Sequence, residues 1–371
     1  MARFELTVSP EYVPNWTIVE AVRELFQNAL DVHEANGGRD KMGWEYNHKS
    51  ERLHIWNANA KLTKQTLLFG STTKANDASS IGSFGEGYKL AFLTLARLGY
   101  EVEVYNRQKN ERWHPKIIKS RRYGSDLLVV DTMKDKTDGD ALTFTIKGVT
   151  KEDYNKIADS NLHMKPAEII AETTYGNILK NMMGKIFIKG LYVCKNDNLA
   201  FGYDILPPYI ETNRDRDLVT DFNLTWATSQ VWANAGLPME VSKMIRNEKP
   251  DVAFVDSFSD LELTETMAAE FRAMHGKYAI PVTTQEEYDA IKKTYKKLKP
   301  VFCRPGETKV IYKTISRSTL GNPSYAVKRE DTRQPKEVME EFYKKHKYDM
   351  PEKVRSKLKH IVDLSKSWAY I

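Results

Sequence analysis

Within the run Glu24-Leu25-Phe26-Gln27-Asn28-Ala29-Leu30-Asp31, a carboxylate, an amide and a second carboxylate recur at spacings of four and three. At about 100° per residue, Glu24, Asn28 and Asp31 fall in one narrow arc of a helix. Ile18, Val22, Leu25, Phe26 and Ala29 fall on the opposite side. The spacing therefore predicts an amphipathic helix that buries its apolar face and presents three converging polar groups, as a site would. A helix whose polar face is simply wet satisfies the same pattern.

A second run, Ile81-Gly82-Ser83-Phe84-Gly85-Glu86-Gly87-Tyr88-Lys89, feeds an apolar helical segment that continues to about Leu98. Glycines at 82, 85 and 87 permit positive φ and close backbone approach, and a helix that begins there aims free N–H groups at an anion. This is phosphate-binding chemistry. The polar stretch 75–80 just before it reads as a mobile loop, and Lys89 lies one helical turn in. The order of elements does not suit a dinucleotide-binding βαβ unit.

The elements that would hold these residues begin with a strand over 4–8 and a helix over 15–35, started by Asn15 or Thr17 and ended by Asn36-Gly37-Gly38. Strands are expected at 43–47, 52–56, 101–105, 127–131 and 141–146. A first domain thus spans 1–148. A β-rich part over 149–225 contains a strong strand signal at 185–194, paired with 201–205. A small α/β unit over 226–315 has helices at 262–275 and 284–298 and strands at 278–282, 301–304 and 309–312. Residues 316–371 form a linker and basic helices. The expected class is α+β.

The chain has 371 residues, 41% hydrophobic and 29% charged, enough for two or three packed domains. No apolar run approaches the roughly 20 residues that span a bilayer, and no signal-peptide pattern is present, so no membrane contact and a cytoplasmic setting are expected. Cys194 and Cys303, distant in sequence and each in an apolar run, read as reduced thiols, and the eight histidines show no zinc spacing. From Lys292 to Ile371 there are 21 Lys and Arg against 9 Asp and Glu, on an otherwise acidic body. That asymmetry suggests a polyanionic partner, nucleic acid included.

The two runs together resemble the GHKL superfamily of ATPases, which includes gyrase B subunits, heat-shock chaperones, MutL, MORC proteins and the ATP-binding domain of histidine kinases. The resemblance covers residues 12–147. The glycine box preceded by Phe69-Gly70-Ser71-Thr72-Thr73-Lys74 looks most like the chaperone and MORC branches, and the overall layout is similar to superfamily members encoded by tailed bacteriophages. It implies a Bergerat-type α/β sandwich that binds ATP and Mg²⁺. Glu24 would be the general base that polarises the attacking water, Asn28 would ligate Mg²⁺, and Asp31 would shape the nucleotide site. Backbone around Gly82, Phe84, Gly85, Glu86, Gly87 and Tyr88 would hold phosphates, helped by Lys74 or Lys89, with Ser71, Thr72 and Thr73 in a lid over 71–86.

The middle motif departs from the family. Asn57-Ala58-Asn59-Ala60-Lys61 stands where the family has Asp-x-Gly-x-Gly, and Asp140, in Asp138-Gly139-Asp140, stands in place of the adenine-site Thr. Asn57 and Asp140 are expected to read the base jointly. The leading expectation is slow Mg²⁺-dependent hydrolysis whose lid closure drives a conformational or homodimer switch on a protein partner. Arg214, Arg216, Lys185 or Lys189 would reach the γ-phosphate. The alternatives are an ATP-gated nucleic-acid binder acting through its basic C-terminal region and a pseudo-ATPase that binds or inhibits another protein. A histidine kinase or a type II topoisomerase subunit is disfavoured.

Overall fold

The computed structural model describes residues 1–39, 41–68, 87–210, 221–258, 261–315, 340, 342–345, 347 and 350–365. The fold is α+β, as expected, and its described residues divide into two compact units, Met1–Gly236 with Glu248–Phe258, and Leu237–Asn247 with Ser259–Ile371.

The first unit opens with strand β1 (Ala2–Leu6), helix α1 (Ile18–Ala35), β2 (Met42–Asn47) and β3 (Arg52–Asn57), then α2 (Gly87–Arg97), β4 (Glu101–Asn106), β5 (Glu111–Lys119), β6 (Asp126–Lys134) and β7 (Leu142–Lys147). The seven strands form one antiparallel sheet in the order β1-β6-β5-β4-β7-β3-β2. Period-two alternation turns Leu53, Ile55, Val102, Val104, Trp113, Leu128, Val130, Phe144 and Ile146 to one face, each at most 1% exposed. Helices α1 and α2 lie side by side over that face, giving a two-layer sandwich.

Strand β5 was not expected, because Pro115 sits in its centre. It pairs with β6 along its whole length but with β4 only over residues 111–113, so the missing N–H of Pro115 disrupts no ladder on the β4 side. Arg97, at the end of α2, donates to the carbonyls of Pro10, Tyr12, Val13 and Trp16 and fixes the loop that enters α1. Thr17 then caps α1 in a capping box with Glu20.

Beyond α3 (Lys151–Asp159), strands β8 (Ile169–Thr173), β9 (Gly176–Leu179), β10 (Lys185–Ile188), β11 (Leu191–Lys195) and β12 (Gly202–Ile205) form a second sheet, ordered β11-β10-β12-β9-β8. The signal over 185–194 is therefore a hairpin rather than one strand. Lys189 and Gly190, at φ +50° and +76°, make the two-residue turn. Leu191 joins the sandwich core beside Ile157 and Val149, so this sheet packs continuously with the first. Helix α4 (Asp221–Ala233) and the short helix α6 (Val255–Phe258) complete the unit.

The second unit contains α5 (Pro238–Arg246), α7 (Leu261–His275), the parallel pair β13 (Ala279–Val282) and β14 (Lys299–Phe302) flanking α8 (Gln285–Thr294), α9 (Pro305–Ile315) and α10 (Glu352–Ser365). Residues 309–312, expected as a strand, belong to α9. Pro305 suits a helix start, and burial of Val310 and Ile311 overrides their β propensity. Helix α8 also ends at Thr294, short of the expected 298. The expected linker over 316–335 lies outside the described residues.

Candidate active site

The polar stripe of α1 is not wet. Glu24 and Gln27 are 1% exposed and Asp31 is 4% exposed, while Asn28 is half-buried. The alternative of a simply solvated face does not hold: α1 packs against α2, α3 and β3, and its middle turns are buried nearly all round.

Gly87, the first residue of α2, lies directly against this stripe. A Cβ built on it would sit 2.6 Å from Glu24 Oε2 and 3.0 Å from Asn28 Nδ2, so only glycine lets the start of α2 come this close. Asn28 Nδ2 donates to the Glu24 carbonyl at 2.7 Å. A carbonyl can only accept, so the amide orientation is dictated and Asn28 Oδ1 is turned away as a free oxygen ligand. Such an oxygen fits a Mg²⁺ ion that keeps several waters.

Two residues not anticipated from the sequence join the stripe. The Arg23 guanidinium lies 3.8 Å from Glu24 Oε1 and donates to the Tyr192 carbonyl of β11 at 3.3 Å, with Trp16 beneath it. The Gln27 amide, one turn from Glu24, and Arg23 Nε are buried without hydrogen-bond partners among the described residues. Both positions continue the same i, i+3, i+4 row, and that spacing was the available signal.

At the other end, Asn57, Leu142 and Asn106 lie abreast on β3, β7 and β4. Asn106 closes both hydrogen bonds with the Leu62 backbone and ties down the segment after β3. Asn57, 2% exposed, donates Nδ2 to the Ala29 carbonyl at 2.8 Å, and the same argument as for Asn28 presents its Oδ1 as an acceptor. Asp140 is exposed and two residues before Leu142, the register partner of Asn57.

Tyr88 stacks on Phe144 at 5.3 Å, and burial, aided by the Asp31 charge, pushes its hydroxyl well above the ordinary range, so it stays protonated. Lys89 is fully buried and donates to the carbonyls of Thr66 and Leu68, tying the turn that ends at Leu68 to α2. Lys189 pairs with Glu34, about 15 Å along α1 from Glu24. Lys185 is half-buried at the start of β10. Ser71, Thr72, Thr73, Lys74, Gly82, Phe84, Gly85, Glu86, Arg214 and Arg216 lie outside the described residues.

Residues 152–234 match the family described as the Mycoplasma pneumoniae MPN635 N-terminal domain, which covers α3, the second sheet and α4. A curated protein of Mycoplasma pneumoniae, described as uncharacterized, is 23% identical over 198 residues, 52% of this chain and 80% of that one. Similar solved structures include the ATPase region of Saccharomyces cerevisiae topoisomerase II bound to ICRF-187 (TM-score 0.32, 9% identity, 47% of this chain and 62% of that one). Another is the ATPase and transducer domains of DNA topoisomerase II from Balamuthia mandrillaris (TM-score 0.35, 10% identity, 67% and 69%). The chain thus spans less than two thirds of the ICRF-187-bound yeast chain. Likenesses at this level bear on neither activity nor substrate, so the chemistry is argued from the site itself. Among the described residues no helix is long and apolar enough to cross a membrane.

Proposed function

We propose that the chain binds ATP with Mg²⁺ at the junction of α1 and α2 and hydrolyses it slowly. The observation that carries this reading is the bare Gly87 against the Glu24–Asn28 pair: a glycine-opened helix start, an acceptor carboxylate and a metal-competent amide oxygen share one buried corner. Glu24 takes the proton of the attacking water as its oxygen bonds to the γ-phosphorus and the bond to the ADP oxygen breaks. Arg23 holds the carboxylate in place. Asn28 Oδ1 would hold Mg²⁺, which would supply positive charge against the negative charge of the phosphates. Asp31 and Tyr88 shape the nucleotide site beside the Glu24–Asn28 pair. Asn57 Oδ1 accepts from the adenine amino group, with Asp140 at the rim.

The segment 71–86, with Ser71 to Lys74 and Gly82 and Gly85, closes over the phosphates as a lid whose stem Lys89 anchors. Residues 1–148 act as the nucleotide-binding part and 149–225 as the coupling part. The test is steady-state turnover of ATP by the wild type, Glu24→Gln and Asn28→Ala, with Mg²⁺-ATP binding measured in parallel. Glu24→Gln should bind ATP and lose at least tenfold in turnover; equal turnover in all three would sink the proposal.

A further inference from the structure

In the second compact unit, an exposed phenylalanine backed by a half-buried tyrosine lies at the chain's densest run of positive charge. Phe302, the last residue of β14, is 54% exposed, and its ring stacks on Tyr288 of α8 with centroids 5.1 Å apart and planes 3° from parallel. Tyr288 thus covers one face of the Phe302 ring, while most of the residue stays open. The Lys292 ammonium lies 5.2 Å from the Tyr288 ring. Between them in sequence run Lys292, Lys293, Lys296, Lys297 and Lys299, with Arg304 just beyond, all exposed and without an intervening acid. The acids of α8 are confined to its first turns, at Glu286, Glu287 and Asp289, and Thr283 donates to Glu287 through both its N–H and its hydroxyl. Strand β14 pairs only with β13 among the described residues, so its second edge carries no strand beside the ring.

Exposing a phenylalanine costs solvation free energy that a purely solvated lysine surface would avoid. A ring backed by a second ring and a cation, inside a chain of lysines, has the two parts single-strand recognition uses. These are a flat apolar platform for a base and a row of cations for the phosphates. An acidic protein surface would use the lysines but not the platform. A duplex keeps its bases stacked internally and would likewise leave the ring idle.

We propose that this surface binds single-stranded nucleic acid, with one base stacked on Phe302 and the phosphate backbone tracked by the lysines of 292–299. The proposal stands independently of the nucleotide site.

The test is fluorescence anisotropy of a labelled oligothymidylate of about twenty nucleotides with the full chain over a range of salt concentrations. Five phosphate contacts predict a slope of log K against log salt of about −3.5. Phe302→Ala should weaken binding by about 5- to 100-fold without changing that slope, and Phe302→Trp should retain it. The double variant Lys296→Gln, Lys297→Gln should flatten the slope by about 1.4. All three positions are exposed, so circular dichroism should match wild type. No binding at low salt, equal affinity for a blunt duplex of the same length, or Phe302→Ala binding like wild type would each overturn the assignment.

Discussion

Gly87 opens the second helix so close to Glu24 that a single added methyl would sit 2.6 Å from the carboxylate oxygen. The contact is with the end of a side chain, but that side chain is 1% exposed and has little room to yield. Gly87→Ala should therefore displace the carboxylate while leaving the fold intact. Alanine near a helix start favours the helix by about 0.5 kcal/mol over glycine, but pushing aside a confined side chain costs about 1–3 kcal/mol, so thermal stability should fall modestly. ATP turnover should fall by tenfold or more, since about 1 Å of misplacement costs up to 100-fold. Turnover at the wild-type level would show that Glu24 does not act from this position.

Asn57 makes a different test, because pinning its Nδ2 to the Ala29 carbonyl leaves Oδ1 as the acceptor for a base. Asn57→Leu keeps most of the buried volume and removes the acceptor. ATP affinity should drop about 2- to 10-fold, the worth of one hydrogen bond, while GTP, which lacks the amino donor at that ring position, should be unaffected. Competition binding of the two nucleotides measures the ratio, and an unchanged ATP-to-GTP preference would place base recognition elsewhere.

Much of the sandwich was legible because it obeys simple periods: 3.6 along α1 and two along β3, β4 and β7. The burial of Glu24 and Gln27 was not, since a polar stripe looks the same whether water or neighbouring elements cover it. Arg23 was missed because its partner, the Tyr192 carbonyl, lies 169 residues away on a backbone atom that no side-chain pattern encodes. Pro115 concealed β5, although it is harmless where the neighbouring strand has ended. The Lys189-Gly190 turn was visible in the sequence as a lysine and a glycine between two apolar runs, and the left-handed pair there makes the reversal. Helix α9 shows the converse, a β-branched sequence held helical by burial against its own unit.

Asp131 ties three strands together. It accepts two bonds from Arg3 of β1, at 2.7 and 2.9 Å, and one contact from Lys116 of β5 at 2.8 Å. The Arg3 bonds, with Lys116 adding to them, hold its carboxyl well below the usual range. A carboxyl with a depressed folded value contributes stability that is complete above about pH 4 and is lost as pH falls toward that value. Asp131→Asn should cost about 1–2 kcal/mol at pH 7, a modest figure because Arg3 is partly solvated. In urea titrations the gap between variant and wild type should close between about pH 4 and pH 2. A constant gap across that range would mean that the loss is steric rather than ionic.

Asp251 is buried completely and holds the β-rich part together. Its carboxylate accepts from the backbone N–H groups of Ala200 and Phe201 and from the Tyr203 hydroxyl, which in turn accepts from Trp232 Nε1 at 2.7 Å. Ser229 donates to the Asp251 carbonyl and accepts from the Phe254 N–H, so α4 and the loop carrying Asp251 are fixed to β12 by one connected network. Burial, with the Asp251 charge and hydrogen bond, pushes the Tyr203 hydroxyl well above its ordinary range, keeping it a donor at every working pH. Asp251→Asn turns one acceptor oxygen into a donor facing donors and should cost about 3–5 kcal/mol. Tyr203→Phe should cost less, about 1–3 kcal/mol, because the carboxylate keeps its backbone partners and only the indole N–H is orphaned. Denaturant unfolding of the two single variants and the double variant tests the network directly. Costs that add without interaction would mean that Asp251 and Tyr203 act separately.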